Sequence, residues 1–256
     1  IEDSLSTKVH ARFENAEIIV MPNLGMDVLP FLLLCHEKRL FEYEAVLKLH
    51  TKNKKSDLRT SQGEIMFEGL CGSPDLVNNI VEMFHTDRDA GMAGTAFQLR
   101  SANALMYGNR ARMEGLFEQL EISLTDWPFF TGTMFWIAGR LLHDIAQLAP
   151  EFLEQARTET HSKTGGDGTL AHTLERIFGA LCKAAAAHVY LTERAGPSNG
   201  NFLLLPLRLH GPANHWRFLE ADSTELLRRH VELSSDEDGR VHRAGLVLHA
   251  HGEGLS

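Results

Sequence analysis

Tyr43-Glu-Ala-Val-Leu-Lys-Leu-His-Thr-Lys52 decides how the chain is read: an apolar run that ends in a dense set of hydrogen-bond donors. Val46, Leu47 and Leu49 lie close together, which suits a strand buried on both faces of a sheet. Such a strand delivers its last residues to the carboxyl edge of an α/β sheet, where folds of that class bind ligands. Lys48, His50, Thr51 and Lys52, then Lys54 and Lys55, put cations and a hydroxyl at that edge, the groups that an anion such as a phosphate ester needs. The competing reading is a strand followed by a solvated basic turn.

Elements of alternating type surround this strand. Glu17-Ile-Ile-Val-Met21 reads as a short buried strand, and Pro22-Asn-Leu-Gly-Met-Asp27 as a turn in which Gly25 is free to take positive φ. A helix is expected over roughly 28–39, and a polar helix over roughly 4–14. Downstream, 51–63 reads as a polar loop, and Ser73-Pro74 is a helix start with proline at the first helical position. Leu76, Val77, Ile80, Val81 and Phe84 continue that helix. Strands are expected at 91–97 and 131–137, and helices around Met113–Leu120, over about 139–149 and from Leu170 to Leu181. A flexible polar loop covers 157–168. The alternation predicts an α/β fold with a mostly parallel central sheet. Texture changes near 195, which divides the chain into a domain over 1–195 and an appendage over 196–256, with a helix expected at Asp222–Val231.

Composition narrows the function. The chain has 256 residues, 43% hydrophobic and 23% charged, ordinary values for a globular protein. A net charge of −9 argues against nucleic-acid binding, which needs a basic surface. Cys35, Cys71 and Cys182 are far apart and odd in number, so no disulfide framework or paired-cysteine metal site is expected, and a reducing cytoplasm fits. No apolar run approaches the ~20 residues of a membrane span. Phosphate-loop, dinucleotide, nucleophile-elbow and zinc-protease signatures are all absent from the sequence.

Four segments, in order, resemble the rhamnan synthesis protein F family of glycosyltransferase domains. They are Pro22-Asn-Leu-Gly-Met-Asp-Val-Leu-Pro-Phe31, Val46-Leu-Lys-Leu-His-Thr-Lys-Asn-Lys54, Phe130-Thr-Gly-Thr-Met-Phe-Trp136 and Asp167-Gly-Thr-Leu-Ala-His-Thr-Leu-Glu-Arg176. Gly72-Ser-Pro74 and Gly108-Asn-Arg-Ala-Arg112 match text between them, and the resemblance covers roughly residues 5–190. It implies a GT-A-like, Rossmann-type α/β/α sandwich that moves a sugar, rhamnose or a relative, from a nucleotide-activated donor to a growing surface polysaccharide. The acceptor it implies is an oligosaccharide or lipid-linked glycan, and the place the inner face of the cell membrane. Family members are often modules of larger glycan-assembly enzymes. A non-catalytic glycan- or partner-binding module derived from such an enzyme is the alternative.

The resemblance also implies roles. Asn23, Asp27, Lys48, His50, Thr51 and Lys52 correspond to the donor-diphosphate region, with fixing the turn the competing role of Asp27. In inverting GT-A enzymes the strand there ends in an Asp-x-Asp motif that holds a divalent cation; this strand ends in cations. Manganese or magnesium is therefore not expected to be essential, and no metal ligands are assigned. Asp167 matches the general base, which takes the acceptor hydroxyl's proton, although an N-cap role is equally open. Thr133, Trp136, His172 and Glu175 are candidates for the acceptor or sugar site, with core packing the competing fate of Trp136 and a surface pair that of His172 and Glu175. GT-A domains open on a strand–helix pair that grips the nucleotide base. No apolar strand precedes Ile18, so the start is expected to be missing or donor binding lost.

Overall fold

The computed structural model describes residues 9, 11–12, 15–22, 24–51, 62–159, 167–194, 202–207 and 244–249. Most of the expected helix at 4–14, the expected helix at 222–231, the linker at 196–200 and most of the loops at 51–63 and 157–168 lie outside these residues.

Helix α1 (Val28–Glu37) leads into strand β1 (Ala45–His50), as the sequence indicates. Helices α2 (Gln62–Cys71) and α3 (Pro74–Thr86) follow, then β2 (Ala90–Thr95), short β3 (Leu99–Ser101) and α4 (Arg110–Gln119). Ser73 caps α3 by accepting from the Leu76 N–H at 3.2 Å, with Pro74 at the first helical position. Next come β4 (Pro128–Phe130), β5 (Phe135–Ala138), α5 (His143–Gln147), α6 (Ala149–Thr158) and α7 (Leu170–Ala184). Strands β6 (His188–Arg194), β7 (Phe202–Leu207) and β8 (Ala244–His249) complete the chain.

The main sheet has the order β7-β6-β2-β5-β1-β8, and β3 and β4 form a separate antiparallel pair. Its two parallel junctions are β1–β8 and β2–β6; the other three, β1–β5, β2–β5 and β6–β7, are antiparallel. This corrects the expected mostly parallel sheet to a mixed one. The cause is β5, which runs against both β1 and β2. Helix spacing alone does not reveal such a reversal, because the connections around β5 are helical on one side and a tight turn on the other. Both edge strands, β7 and β8, come from the segment read as an appendage.

All six residues of β1 are buried, as a strand covered on both faces requires. Lys48 pairs with Phe135 and Leu47 with Trp136, so alternation sends these pairs to opposite faces. Phe135 and Phe31 both pack on Phe178 of α7, at ring-centroid distances of 5.0 and 5.8 Å, which sets α1 and α7 on one face. Trp136 donates its indole N–H to the Leu70 carbonyl at 2.9 Å, which ties α2 to the other face. Helices on both sides of a mixed sheet give an α/β sandwich around one core.

Two expectations fail locally. Glu17–Met21 forms no strand and pairs with none among the described residues, and Ile18, Ile19 and Val20 are exposed rather than buried. The strand expected at 131–137 is two elements: Thr131–Met134 is a turn, and β5 begins only at Phe135.

Candidate functional site

The Thr131–Met134 turn lies where β1 and β2 end and β5 begins, and it is the point on which the family-like segments converge. Gly132 and Thr133 adopt φ of +82° and +55°, a left-handed pair that a strand cannot contain. Non-glycine residues enter this region at a cost of roughly 1–2 kcal/mol, so Thr133 is held there by its surroundings. Those surroundings are specific. Each of the turn's four successive carbonyls accepts from a buried side chain. Gln98 Nε2 donates to Thr131 O at 2.8 Å and to Met134 O at 3.3 Å. The ring Nε2 of His50 lies 2.7 Å from Gly132 O, and Lys48 Nζ donates to Thr133 O at 2.9 Å. From the other side the Gly132 N–H donates to Glu175 Oε1 at 2.6 Å.

Asp27, at the entrance of α1, completes the buried set: its Oδ2 accepts from Lys48 Nζ and from the Thr133 hydroxyl, and His50 Nε2 is 3.8 Å away. Burial pushes the Asp27 carboxyl upward, but the charges of Lys48 and His50 and the hydrogen bonds from Lys48 and Thr133 outweigh it and hold it well below the usual range. Lys48 has no exposed surface, and its ammonium also lies 5.6 Å from the centre of the Phe31 ring. The second ring nitrogen of His50 faces Thr51 O at 3.0 Å. Two carbonyls facing two ring nitrogens suit the imidazolium form, in which both donate.

This geometry corrects several sequence assignments. Lys48 is not a cation offered to a ligand, because it is enclosed and neutralised by Asp27. Asp27, His50 and Thr133 are likewise buried and engaged in shaping the turn. Trp136 is 2% exposed and bonded into α2, so it stacks on no sugar; its position on a central strand decides this. Thr51 is exposed just beyond β1, while Asn23 and Lys52 lie outside the described residues.

A second cluster adjoins the turn through Glu175. Arg176, 3% exposed, donates to Asp167 Oδ2 at 2.8 Å and to the Leu105 carbonyl at 2.9 and 2.6 Å, and it lies 3.6 Å from Glu175 Oε2. Asn109, fully buried, donates to Asp167 Oδ1 and accepts from the Thr173 hydroxyl at 3.1 Å. Asp167 and Glu175 thus share one guanidinium, and the Asp167 side chain keeps 27% of its surface open to solvent. Asp167 is not the cap of α7. That start is served by Glu159, whose carboxylate accepts the Leu170 N–H at 2.9 Å and pairs with Arg112 at 2.9 Å. His172 is held within its own first turn, with Nδ1 2.7 Å from the Thr169 hydroxyl oxygen, and joins Asp167 only through its carbonyl, which accepts from Arg176.

Gln98 and Arg176 carry much of this arrangement, yet the sequence assigned neither a place in it. Arg176 and Thr173 did carry a signal: both are buried polar residues on a helix whose apolar stripe is Leu170, Leu174 and Ile177. A cleft of about 350 Å³ opens at the other end of the strands, between Tyr43, Arg88, Ala138 and Arg140, and none of the sequence-assigned residues lines it.

Comparison with known proteins bears directly on these two clusters. The family model described as rhamnan synthesis protein F matches residues 2–187, which include all of them. Two curated relatives, each named uncharacterized protein WxcX and from two strains of Xanthomonas campestris pv. campestris, are 34% identical over 194 residues, 73% of this chain. The chain spans about a quarter of their length, 26%. No solved structure matches.

Proposed function

The chain belongs to the rhamnan synthesis protein F family, and on that footing we propose that it is a glycosyltransferase module of surface-polysaccharide assembly. It moves a sugar, rhamnose or a relative, from a nucleoside-diphosphate donor to a growing glycan with inversion at the anomeric carbon. The observation that carries this reading is the convergence of four separate segments on one braced turn at the carboxyl edge of β1 and β2, with two carboxylates beside it. Ligands of α/β folds bind at such edges.

In this reading Asp167 is the general base. Asn109 and Arg176 fix its orientation, and its open face receives the proton of the acceptor hydroxyl as that oxygen attacks the anomeric carbon and the nucleoside diphosphate leaves. Glu175, whose side chain is 18% exposed, braces the turn and orients the acceptor, while Arg176 stays buried behind the two carboxylates. Lys48 does not neutralise the leaving diphosphate; that charge falls to the segment beginning at Thr51 and Lys52. A GT-A arrangement, weak dependence on manganese or magnesium, and a position at the cytoplasmic face of the membrane belong to the same proposal. Among the described residues no helix is long and apolar enough to cross a membrane.

The test is a thermal-shift series with dTDP, UDP and GDP, because a ligand of the native state raises apparent stability, followed by sugar transfer from the matching donor with and without chelator. At least one nucleotide raises the melting temperature. Loss of transfer in chelator, reversed only by manganese or magnesium, defeats the metal claim. Occupation of both Asp167 oxygens favours a second reading, a non-catalytic glycan- or partner-binding module. It replaces the first if no nucleotide moves the melting temperature.

A further inference from the structure

His50, the last residue of β1, is 5% exposed, and oxygen atoms lie against both of its ring nitrogens. Nδ1 lies 3.0 Å from Thr51 O; Nε2 lies 2.7 Å from Gly132 O, 3.3 Å from the Thr133 hydroxyl and 3.8 Å from Asp27 Oδ2. None of these four oxygens has a hydrogen to give. Two are carbonyls, one belongs to a carboxylate, and the Thr133 hydroxyl donates its proton to Asp27. A neutral imidazole brings one N–H and one lone pair, so one of its nitrogens would face an oxygen with no hydrogen between them. Only the imidazolium satisfies both sides.

The charged groups packed around the ring favour the same form. From the entrance of α1, the Asp27 carboxylate faces Nε2 and is itself held low in part by the charge of His50; that attraction works both ways. From α7, Glu175 holds Gly132 by its N–H. Lys48, two residues earlier on the same face of β1, opposes a second cation, but its ammonium is engaged by Asp27 and Thr133 O. On the neighbouring strand β8, His249 stands in register with His50.

Loss of the ring proton removes one of the two carbonyl contacts, and the two sides are not equally held. Gly132 is tied by its N–H to Glu175 at 2.6 Å, and the residues on either side of it are held by Gln98 and Lys48. Thr51 is exposed and lies beyond the last pair of the β1–β8 ladder. The exit of β1 therefore yields while the turn stays. We propose that His50 is a buried imidazolium latch that fixes the exit of β1 against the braced turn and opens as pH rises. Its contribution is complete below about pH 6.5, the ordinary value for histidine, and is lost as pH climbs through the value of the folded ring. The consequence for ligand deepens the glycosyltransferase reading and rests on it. Thr51 is among the groups given above to the leaving diphosphate, so His50 is a positioning residue for that anion and acts through the Thr51 carbonyl.

The experiment is an NMR titration of the whole chain from about pH 5.5 to about pH 9, a range that spans histidine ionisation. The His50 ring nitrogens and the Thr51 and Gly132 carbonyl carbons are assigned through the backbone. Both ring nitrogens carry protons at the acid end; as the ring titrates, the Thr51 carbonyl signal shifts in step with it and that of Gly132 shifts less. A ring with a single proton at the acid end, a ring that keeps both protons at the basic end, or a Thr51 carbonyl that does not follow the ring overturns the latch. Calorimetric titration with dTDP, UDP and GDP reads the positioning role. The nucleotide that binds at about pH 6 is expected to bind about tenfold more weakly at about pH 8.5, the scale of one lost hydrogen bond to a charged group. This runs against the ligand's own titration, since a terminal phosphate gains negative charge over the same interval. In His50→Gln, which has no ring to titrate, the weakening disappears. A wild-type affinity that holds or rises with pH removes the positioning role. Failure of the glycosyltransferase reading looks different: no nucleotide binds at either pH, while the ring and the Thr51 carbonyl still titrate together.

Discussion

Replacing Lys48 with methionine tests whether the KLH end of β1 is architecture or ligand site. Methionine keeps most of the volume and fills space adaptably, so the cavity cost is small. What the change removes is charge. Lys48 has no exposed surface and Asp27 is 8% exposed, so the variant strands a buried carboxylate whose remaining partners are the Thr133 hydroxyl and His50 at 3.8 Å. Removing one member of a buried pair costs about 3–5 kcal/mol. At about 2–4 °C per kcal/mol for a chain of this size, the melting temperature falls by roughly 6–20 °C. Asp27→Asn strands the ammonium instead and loses a similar amount. The double variant, with both charges gone, is less destabilised than the sum of the two, with a coupling of about 2 kcal/mol or more. Urea unfolding of the four proteins measures this cycle. The pair also sets a pH dependence. Asp27 has its folded pKa depressed below the ordinary value of 3.8. Its contribution is therefore complete above that pH and is lost as pH falls through the lower, folded value. The acid limb of wild-type stability should accordingly be steeper than that of the double variant. Additive single losses, or a Lys48→Met protein that is as stable as wild type but has lost nucleotide binding alone, would refute the architectural role and restore Lys48 to the ligand.

Other substitutions separate fold from chemistry. Asp167→Asn leaves one oxygen where two donors, Asn109 and Arg176, need acceptors; a stability loss of about 1 kcal/mol is expected, because solvent reaches the site. Transfer should fall at least about a hundredfold with nucleotide binding intact, and a variant that still turns over normally removes Asp167 as the base. Gly179→Ala puts a Cβ 1.8 Å from Pro128 O, so α7 must move off β4; a loss of about 3 kcal/mol in urea unfolding is expected, and a neutral result means the packing is looser than described. Burial pushes the Cys182 thiol up to about 12 and also raises that of Cys35, while Cys71 is only half-buried. A colorimetric thiol reagent at pH 8 should find one slow cysteine in the native chain and three after unfolding.

How far the sequence leads depends on where the physical signal is local. α1, β1, α3 and α7 are legible because apolar spacing and a serine–proline cap state them directly. β5 is misplaced by four residues because Thr131-Gly-Thr-Met reads as β-favouring when taken alone. Only the donors from Lys48, His50 and Gln98 explain why it turns. β6 carried a readable alternation, with Val189, Leu191 and Thr192 buried and Tyr190 and Glu193 less so, but it was overshadowed by the helix before it. Within the site, the segment order brings the family-like segments together at one end of the sheet. It cannot show which groups face inward: Lys48 and Thr133 read as ligand groups, Asp27 and Trp136 as ligand or scaffold, and all four are buried in the scaffold. A lysine at a strand end and a lysine in a buried ion pair look alike until the facing helix is in place.

The braced turn has a kinetic side. Its contacts join residues separated by 82 positions to His50, 85 to Lys48, 106 to Asp27 and 43 to Glu175. None of them can form until several long loops have closed, and each closure costs entropy before any contact returns it. The turn is then among the last pieces to set as the chain folds. A partly folded chain can hold secondary structure and a collapsed core and still have no site. Binding by this protein therefore reports on the completed fold, and its loss on heating should coincide with global unfolding rather than precede it.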